Sequence, residues 1–293
     1  MIYRKQVKII FTTAIILFTY ASCSSAPSRP AEIVSVRSTA FTQIELANKK
    51  TSMGNYIQAL EHLKEARRVA VACDDPNLLI LTDIAQSDVS FYLGNPDEAR
   101  QKMQNALNTA KEENYIELAA LCEIYLARFG LLSNPHDKAV AEDARRDINK
   151  NIAALKKEKL NAAFGWTVAA LAEKELENFP GAETALKKAL AVHLSLNYLE
   201  AAAYDWYLMA SVFSISGNYT KAAAAIKDAI LLDRRAENSH GLGMDYLALG
   251  NIYHKAGNEQ AAKDAYQRSE LVFKAARLDD EAKAALKKHL ENY

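Results

Sequence analysis

Gly217-Asn218-Tyr219-Thr220-Lys221-Ala222 is followed one period later by Gly257-Asn258-Glu259-Gln260-Ala261-Ala262. The same phrase stands earlier as Gly54-Asn55-Tyr56-Ile57-Gln58-Ala59 and Gly94-Asn95-Pro96-Asp97-Glu98-Ala99. The step from Gly54 to Gly94 and the step from Gly217 to Gly257 are both 40 residues. A fixed period of this size signals stacked supersecondary units that bury their apolar faces against one another. One period before Gly217, Glu177-Asn178-Phe179 leads to Ala182, keeping the Asn, the aromatic and the Ala but not the Gly. Ser133-Asn134-Pro135 follows Gly94 by about the same step, so six units result. Ser133 and Glu177 are 44 residues apart, which puts an insertion in the third unit, expected as extra turns in the charged helix around Asp137 to Lys159.

Between the phrases the chain is rich in Ala, Leu and Lys and poor in Gly and Pro, and its apolar residues recur at three-and-four spacing. That spacing predicts helices rather than strands. Gly or Asn is expected to end the first helix of each unit in a left-handed conformation that a residue with Cβ tolerates poorly. The Ala five residues after the Gly is small because the second helix packs there on the first. Ala66, Ala106, Ala189 and Ala229, seven residues further on, continue the stripe.

These residues resemble the tetratricopeptide repeat, whose first helix carries an aromatic, then Leu-Gly, then Tyr. Trp166 and Trp206 fall on the leading aromatic position, Tyr246 takes it in the last unit, and Leu249-Gly250-Asn251-Ile252-Tyr253 completes the pattern there. The resemblance runs from about residue 36 to 277 and is weakest in the third unit. The period is 40 rather than the family's 34, and the Pro that closes each family repeat is replaced by Val71, Lys111, Leu194, Arg234 and Lys274. Without Pro the second helix runs on, as in the extended subclass of the family. The expected fold is therefore an all-α, right-handed superhelical solenoid of six antiparallel pairs over 36–278. A capping helix over 279–293 would shield the last apolar flank, with Asp279 as N-cap and Leu286 and Leu290 on its inner face.

The chain opens with Arg4, Lys5 and Lys8 ahead of an apolar run from Ile9 to Tyr20, which reads as an export signal over 1–22. Tyr20-Ala21-Ser22-Cys23 resembles the lipobox of bacterial lipoproteins, in which the Cys is acylated. The other reading is an ordinary secretory signal cleaved near Ala21 or Ala26, with Cys23 incidental. Residues 23–35, containing Ser, Ala and Pro, read as a flexible tether. Together these imply a bacterial envelope location, lipid-anchored and facing the periplasm rather than the exterior.

Removing residues 1–22 takes three of the 36 Lys and Arg and none of the 36 Asp and Glu, a formal balance of −3 that argues against nucleic acid. The His residues are scattered, without the helical His-x-x-x-His spacing of metal hydrolases. His240-Gly241-Leu242-Gly243 reads as a turn and not a phosphate loop, and no nucleophile elbow is present. No cofactor, metal or catalytic residue is assigned. Cys73 and Cys122 read as small buried apolar residues.

In the tetratricopeptide family the concave face is formed by the first helix of each pair. Carried over, the resemblance implies Asn48, Phe164, Tyr204, Tyr207, Asn251 and His254 as partner-binding residues. It also places Phe41, Ile44, Leu81, Ile84, Asp88, Thr167, Leu171, Ser211, Met244 and Leu247 on that face. Phe41, Leu81, Phe164, Tyr204 and Met244 can equally form a core stripe against the preceding helix. The expected role is a non-enzymatic envelope scaffold that holds a protein or peptide segment, compatible with a homodimer. An accessory to a periplasmic solute transporter, holding a small hydrophobic ligand, is the alternative.

Overall fold

The computed structural model describes residues 36–291, so the export signal, Cys23 and the tether lie outside it, as do the side chains of Leu286 and Leu290. The described residues form thirteen helices and no strand. They are α1 (Val36–Ser52), α2 (Tyr56–Ala72), α3 (Pro76–Tyr92), α4 (Pro96–Glu112), α5 (Ile116–Ser133), α6 (Lys138–Ile152) and α7 (Lys159–Glu175). α8 (Phe179–Ser195), α9 (Leu199–Ile215), α10 (Tyr219–Ala236), α11 (Ser239–Lys255), α12 (Glu259–Ala275) and α13 (Asp279–Glu291) complete the chain. Each helix packs on the next, giving six antiparallel pairs and a final cap in a right-handed solenoid.

The repeated phrase works as a two-part punctuation mark. Gly54, Gly94, Gly217 and Gly257 take φ between 74° and 83°, ending the first helices in the left-handed region where Cβ is costly. The Asn after each is not left-handed, as the sequence reading had allowed, but opens the second helix. Asn218 donates its backbone N–H to Phe213 O at 2.8 Å, closing the old helix, and its side chain accepts from Lys221 N at 3.1 Å, capping the new one. Asn178 and Asn258 cap in the same way.

The third unit departs from the expected longer helix. Its extra residues do not lengthen the charged helix, which at 15 residues is shorter than the 17 of most others. Instead they make a run of turns over 153–158 between α6 and α7, where Leu155 is fully buried. His240-Gly241-Leu242-Gly243 is likewise the first turn of α11, not a loop.

Small residues set the helix spacing. Ala59, Ala99, Ala182, Ala222 and Ala262 are 0% exposed, and so are Ala66, Ala189 and Ala229. Glycine takes the stripe furthest in the last pair, where a Cβ on Gly250 would lie 2.4 Å from the Tyr266 ring. The cap covers the end as expected, with Ala282 and Ala285 buried against Phe273.

The first helices of the pairs also touch one another: α1 packs on α3, α3 on α5, α5 on α7, α7 on α9 and α9 on α11. They form the inner, concave layer of the solenoid. Its winding is tight enough to bring the ends together. A Cβ on Gly54, at the close of α1, would lie 3.0 Å from His240 Cδ2, at the start of α11. The Glu281 carboxylate of α13 lies near enough to bear on both Tyr56 and His240. The inner layer therefore surrounds a central lumen, with a seam between the first and sixth pairs.

Candidate functional site

Asp88 on α3 and Arg128 on α5 meet inside this lumen. They are one period apart in sequence, so the stacking of equivalent helices places them side by side. Arg128 Nη1 donates to Asp88 Oδ1 at 2.6 Å, and Nη2 donates to the Tyr92 hydroxyl. The guanidinium carbon sits 5.3 Å from the Tyr92 ring centroid, a cation–π contact. Arg128 is 5% exposed. Burial works against its charge, and the Tyr92 hydroxyl and Asp88 carboxylate overcome that, holding its pKa well above the ordinary value.

Aromatic rings from several helices surround the pair. Tyr56 stacks on Tyr92 with ring centroids 5.6 Å apart, Tyr125 lies 4.6 Å from Phe164 of α7, and Tyr204 stacks on Tyr207 of the same helix at 6.2 Å. Tyr204 belongs to α9, two pairs beyond Arg128, yet its hydroxyl feels the charges of Tyr92 and Arg128 across the lumen. It keeps 38% of its surface open, while the enclosing wall raises its pKa by burial, with Tyr92 adding to the effect. Burial raises the Tyr125 and Tyr207 hydroxyls as well.

The six residues carried over from the family pattern divide evenly. Phe164, Tyr204 and Tyr207 converge on the Arg128 cluster. Asn48 stands exposed on α1. Asn251 accepts a hydrogen bond from the Tyr266 hydroxyl at 2.9 Å within its own pair, and His254 Nδ1 lies 3.0 Å from Glu259 Oε2 at the next turn. Of the five positions with a competing core reading, Leu81, Phe164 and Met244 are half-buried against core clusters, whereas Phe41 and Tyr204 are exposed. Arg128 was missed, although its place one period after Asp88 was visible in the sequence.

Two further polar clusters were also missed, both sealed between helices. Thr167 Oγ1 donates to Asp205 Oδ1 at 2.6 Å, and His193 Nδ1 donates to Asp205 Oδ2 at 2.7 Å. The three residue types suggest a nucleophile triad, but the carboxylate sits in the middle, so His193 cannot take the Thr167 proton. All three residues are 5% exposed or less. One repeat later Asp233 and Asp245 hydrogen-bond to each other. Burial is the main cause lifting Asp233 to about 7 and Asp245 to about 9; the Asp233 carboxylate adds to the rise of Asp245, while the hydrogen bond from Asp245 works against the rise of Asp233. Asn238 Nδ2 donates to Asp233 Oδ1 at 3.0 Å. These desolvated groups were not expected in stacked helices, and they bind helix to helix without facing a cleft.

Among the described residues no group of three or more His, Cys, Asp or Glu is placed to hold a metal, and no helix is long and apolar enough to cross a membrane. Cys73 and Cys122 are free thiols, with Cys122 raised to about 12 chiefly by burial.

No protein-family model matches the chain, and no curated protein matches it. Solved structures do. BtubC (BKLC) from P. vanneervenii is 18% identical with a TM-score of 0.55, covering 81% of this chain and 92% of its own. A Rap protein complexed with Competence and Sporulation Factor is 16% identical with a TM-score of 0.58, covering 87% and 74%. PilW, a widely conserved type IV pilus biogenesis factor, is 17% identical with a TM-score of 0.51, covering 84% and 98%. At these identities the likeness is one of architecture, and with the helix pairing it establishes a tetratricopeptide-like solenoid as the fold of this chain.

Proposed function

We propose that this protein is a non-enzymatic scaffold of the bacterial envelope, anchored through a lipid on Cys23, that holds a segment of another protein in its lumen. The observation that carries the binding role is the solvent-facing wall formed by Tyr92, Tyr204 and Tyr207 around the Asp88–Arg128 pair. Half-exposed aromatics beside a desolvated Arg have the composition of an interface hot spot. Charge complementarity inside the site is already met, so binding does not leave Arg128 unpaired. The architectural likeness to PilW and to a Rap protein complexed with Competence and Sporulation Factor agrees with this reading. The anchor rests on the sequence of the export signal, on Tyr20-Ala21-Ser22-Cys23 and on the tether composition that follows.

The test has two arms. Cys23→Ala should release the protein from membranes and abolish labelling by fatty acid; unchanged membrane association refutes the anchor. Mild detergent co-purification with the wild-type chain should recover envelope proteins that Tyr204→Ala/Tyr207→Ala loses. Equal recovery by both chains refutes a lumenal binding site.

A further inference from the structure

Around Arg128 the tyrosine hydroxyls give the lumen more free hydrogen-bond donors than acceptors. Tyr92 already accepts from Arg128, which leaves its own proton to be donated elsewhere. The hydroxyls of Tyr56, Tyr125, Tyr204 and Tyr207 have no acceptor among the described residues. Of the carboxylates near these hydroxyls, Asp88 is paired with Arg128 at 2.6 Å and balances its charge, and Glu281 stands toward Tyr56 at the seam. A ligand that fits must therefore supply acceptors, bring few donors and carry no net charge, since burying an unpaired charge beside a neutral pair is costly.

Backbone conformation then discriminates. An α-helix uses its own carbonyls internally and has none to give. An extended strand presents carbonyls but equally many N–H groups, more than the few free acceptors here can meet. A polyproline II segment has no internal hydrogen bonds, so its carbonyls point outward, and each Pro removes one N–H. Flat ring faces complete the match. The Tyr204–Tyr207 and Tyr56–Tyr92 pairs are parallel within 9° and 7°, and such aromatic walls pack against pyrrolidine rings.

We infer that the lumen receives an uncharged, proline-rich segment in the polyproline II conformation, with the tyrosine hydroxyls donating to its carbonyls. The inference rests on the scaffold reading above and specifies the partner's chemistry.

The probe is a fluorescein-labelled dodecapeptide of repeated Pro-Pro-Ala, titrated against the full detergent-solubilised chain by anisotropy. An Ala-rich helical peptide and a Gly-Ser peptide of equal length serve as comparisons. Saturable binding of the proline peptide alone is expected, weakened roughly tenfold or more in Tyr204→Phe/Tyr207→Phe, which keeps the rings and removes two donors. The variant should melt like wild type, because neither hydroxyl has a partner in the fold. Three results each overturn the inference: no proline-peptide binding, tighter binding of the helical peptide, or undiminished binding by the Phe variant. A variant that fails to fold overturns it too, by showing that the hydroxyls hold the structure. If Tyr204→Ala/Tyr207→Ala loses envelope proteins while the proline peptide stays unbound, the scaffold reading stands and only this inference falls.

Discussion

Asp233 and Asp245 occupy the slot that His193 and Asp205 occupy one repeat earlier. Both pairs are 12 residues apart, and both join the end of one second helix to the next first helix. A His–Asp pair satisfies the slot with a hydrogen bond from His193 Nδ1 to the Asp205 carboxylate. An Asp–Asp pair does so only while it holds a proton, and Asp245 Oδ2 is buried with no hydrogen-bond partner.

Stability should therefore fall as pH rises. Unfolded carboxylates titrate near pH about 4, whereas these two titrate at about 7 and about 9 in the fold. Between those limits the folded chain retains protons that the unfolded chain has released, so each pH unit costs up to about 1.4 kcal/mol per retained proton. Urea midpoints measured at pH 5, 7 and 9 should decline in that order. Asp245→Asn, which cannot ionise and can still donate to Asp233, should flatten most of the decline; an unchanged slope would exclude the pair as its source.

Arg128 should be needed less than its own loss suggests. Arg128→Met leaves Asp88 facing the lumen without its counter-charge and should destabilise the chain by about 3 kcal/mol. Adding Asp88→Asn should recover at least a third of that loss. Denaturation of the two single variants and the double variant checks the coupling, and strictly additive losses would show that the pair does not act as a unit.

The alanine stripe makes a simpler demand. Ala222→Leu forces three extra carbons into a contact that is 0% exposed and should cost about 1–3 kcal/mol. Lys221→Ala next to it is exposed and should change stability by less than about 0.5 kcal/mol. Thermal melts of the two variants separate packing from any general sensitivity of the α9–α10 turn.

The period made the helix boundaries legible because one residue pair, Gly then Asn, carries both a stop and a start. It failed in the third unit, where His136, not a glycine, takes the left-handed position and turns rather than helix absorb the added residues. The left-handed residues that close the second helices, Asp74, Asn114, Asn197, Glu237 and Arg277, share no single residue type and so left no pattern to read. Within the site, Phe164, Tyr204 and Tyr207 could be placed on the inner face by their phase in the repeat. Arg128 was hidden by the weakness of its unit, and the buried His and Asp pairs by the assumption that charged residues on amphipathic helices face water.

Gly54 and Gly94 separate backbone strain from closure of the seam. Both have positive φ, but a Cβ on Gly94 meets nothing within 4 Å, while one on Gly54 meets His240 at 3.0 Å. Gly94→Ala should cost about 1–2 kcal/mol for the left-handed backbone alone. Gly54→Ala should cost measurably more, and the excess should vanish in the His240→Ala background. A double-mutant cycle by urea denaturation reads this directly; a coupling energy of zero would mean the ends do not bear on each other.

That seam also changes how the molecule should come apart. An open array of repeats behaves as a one-dimensional chain in which terminal units fray and melting spreads inward from either end. When the first unit leans on the sixth there is no free end to begin from, and the same six units acquire the all-or-none cooperativity of a globular domain. Their folding also gains one contact of very long sequence separation, which must wait until every unit between is in place.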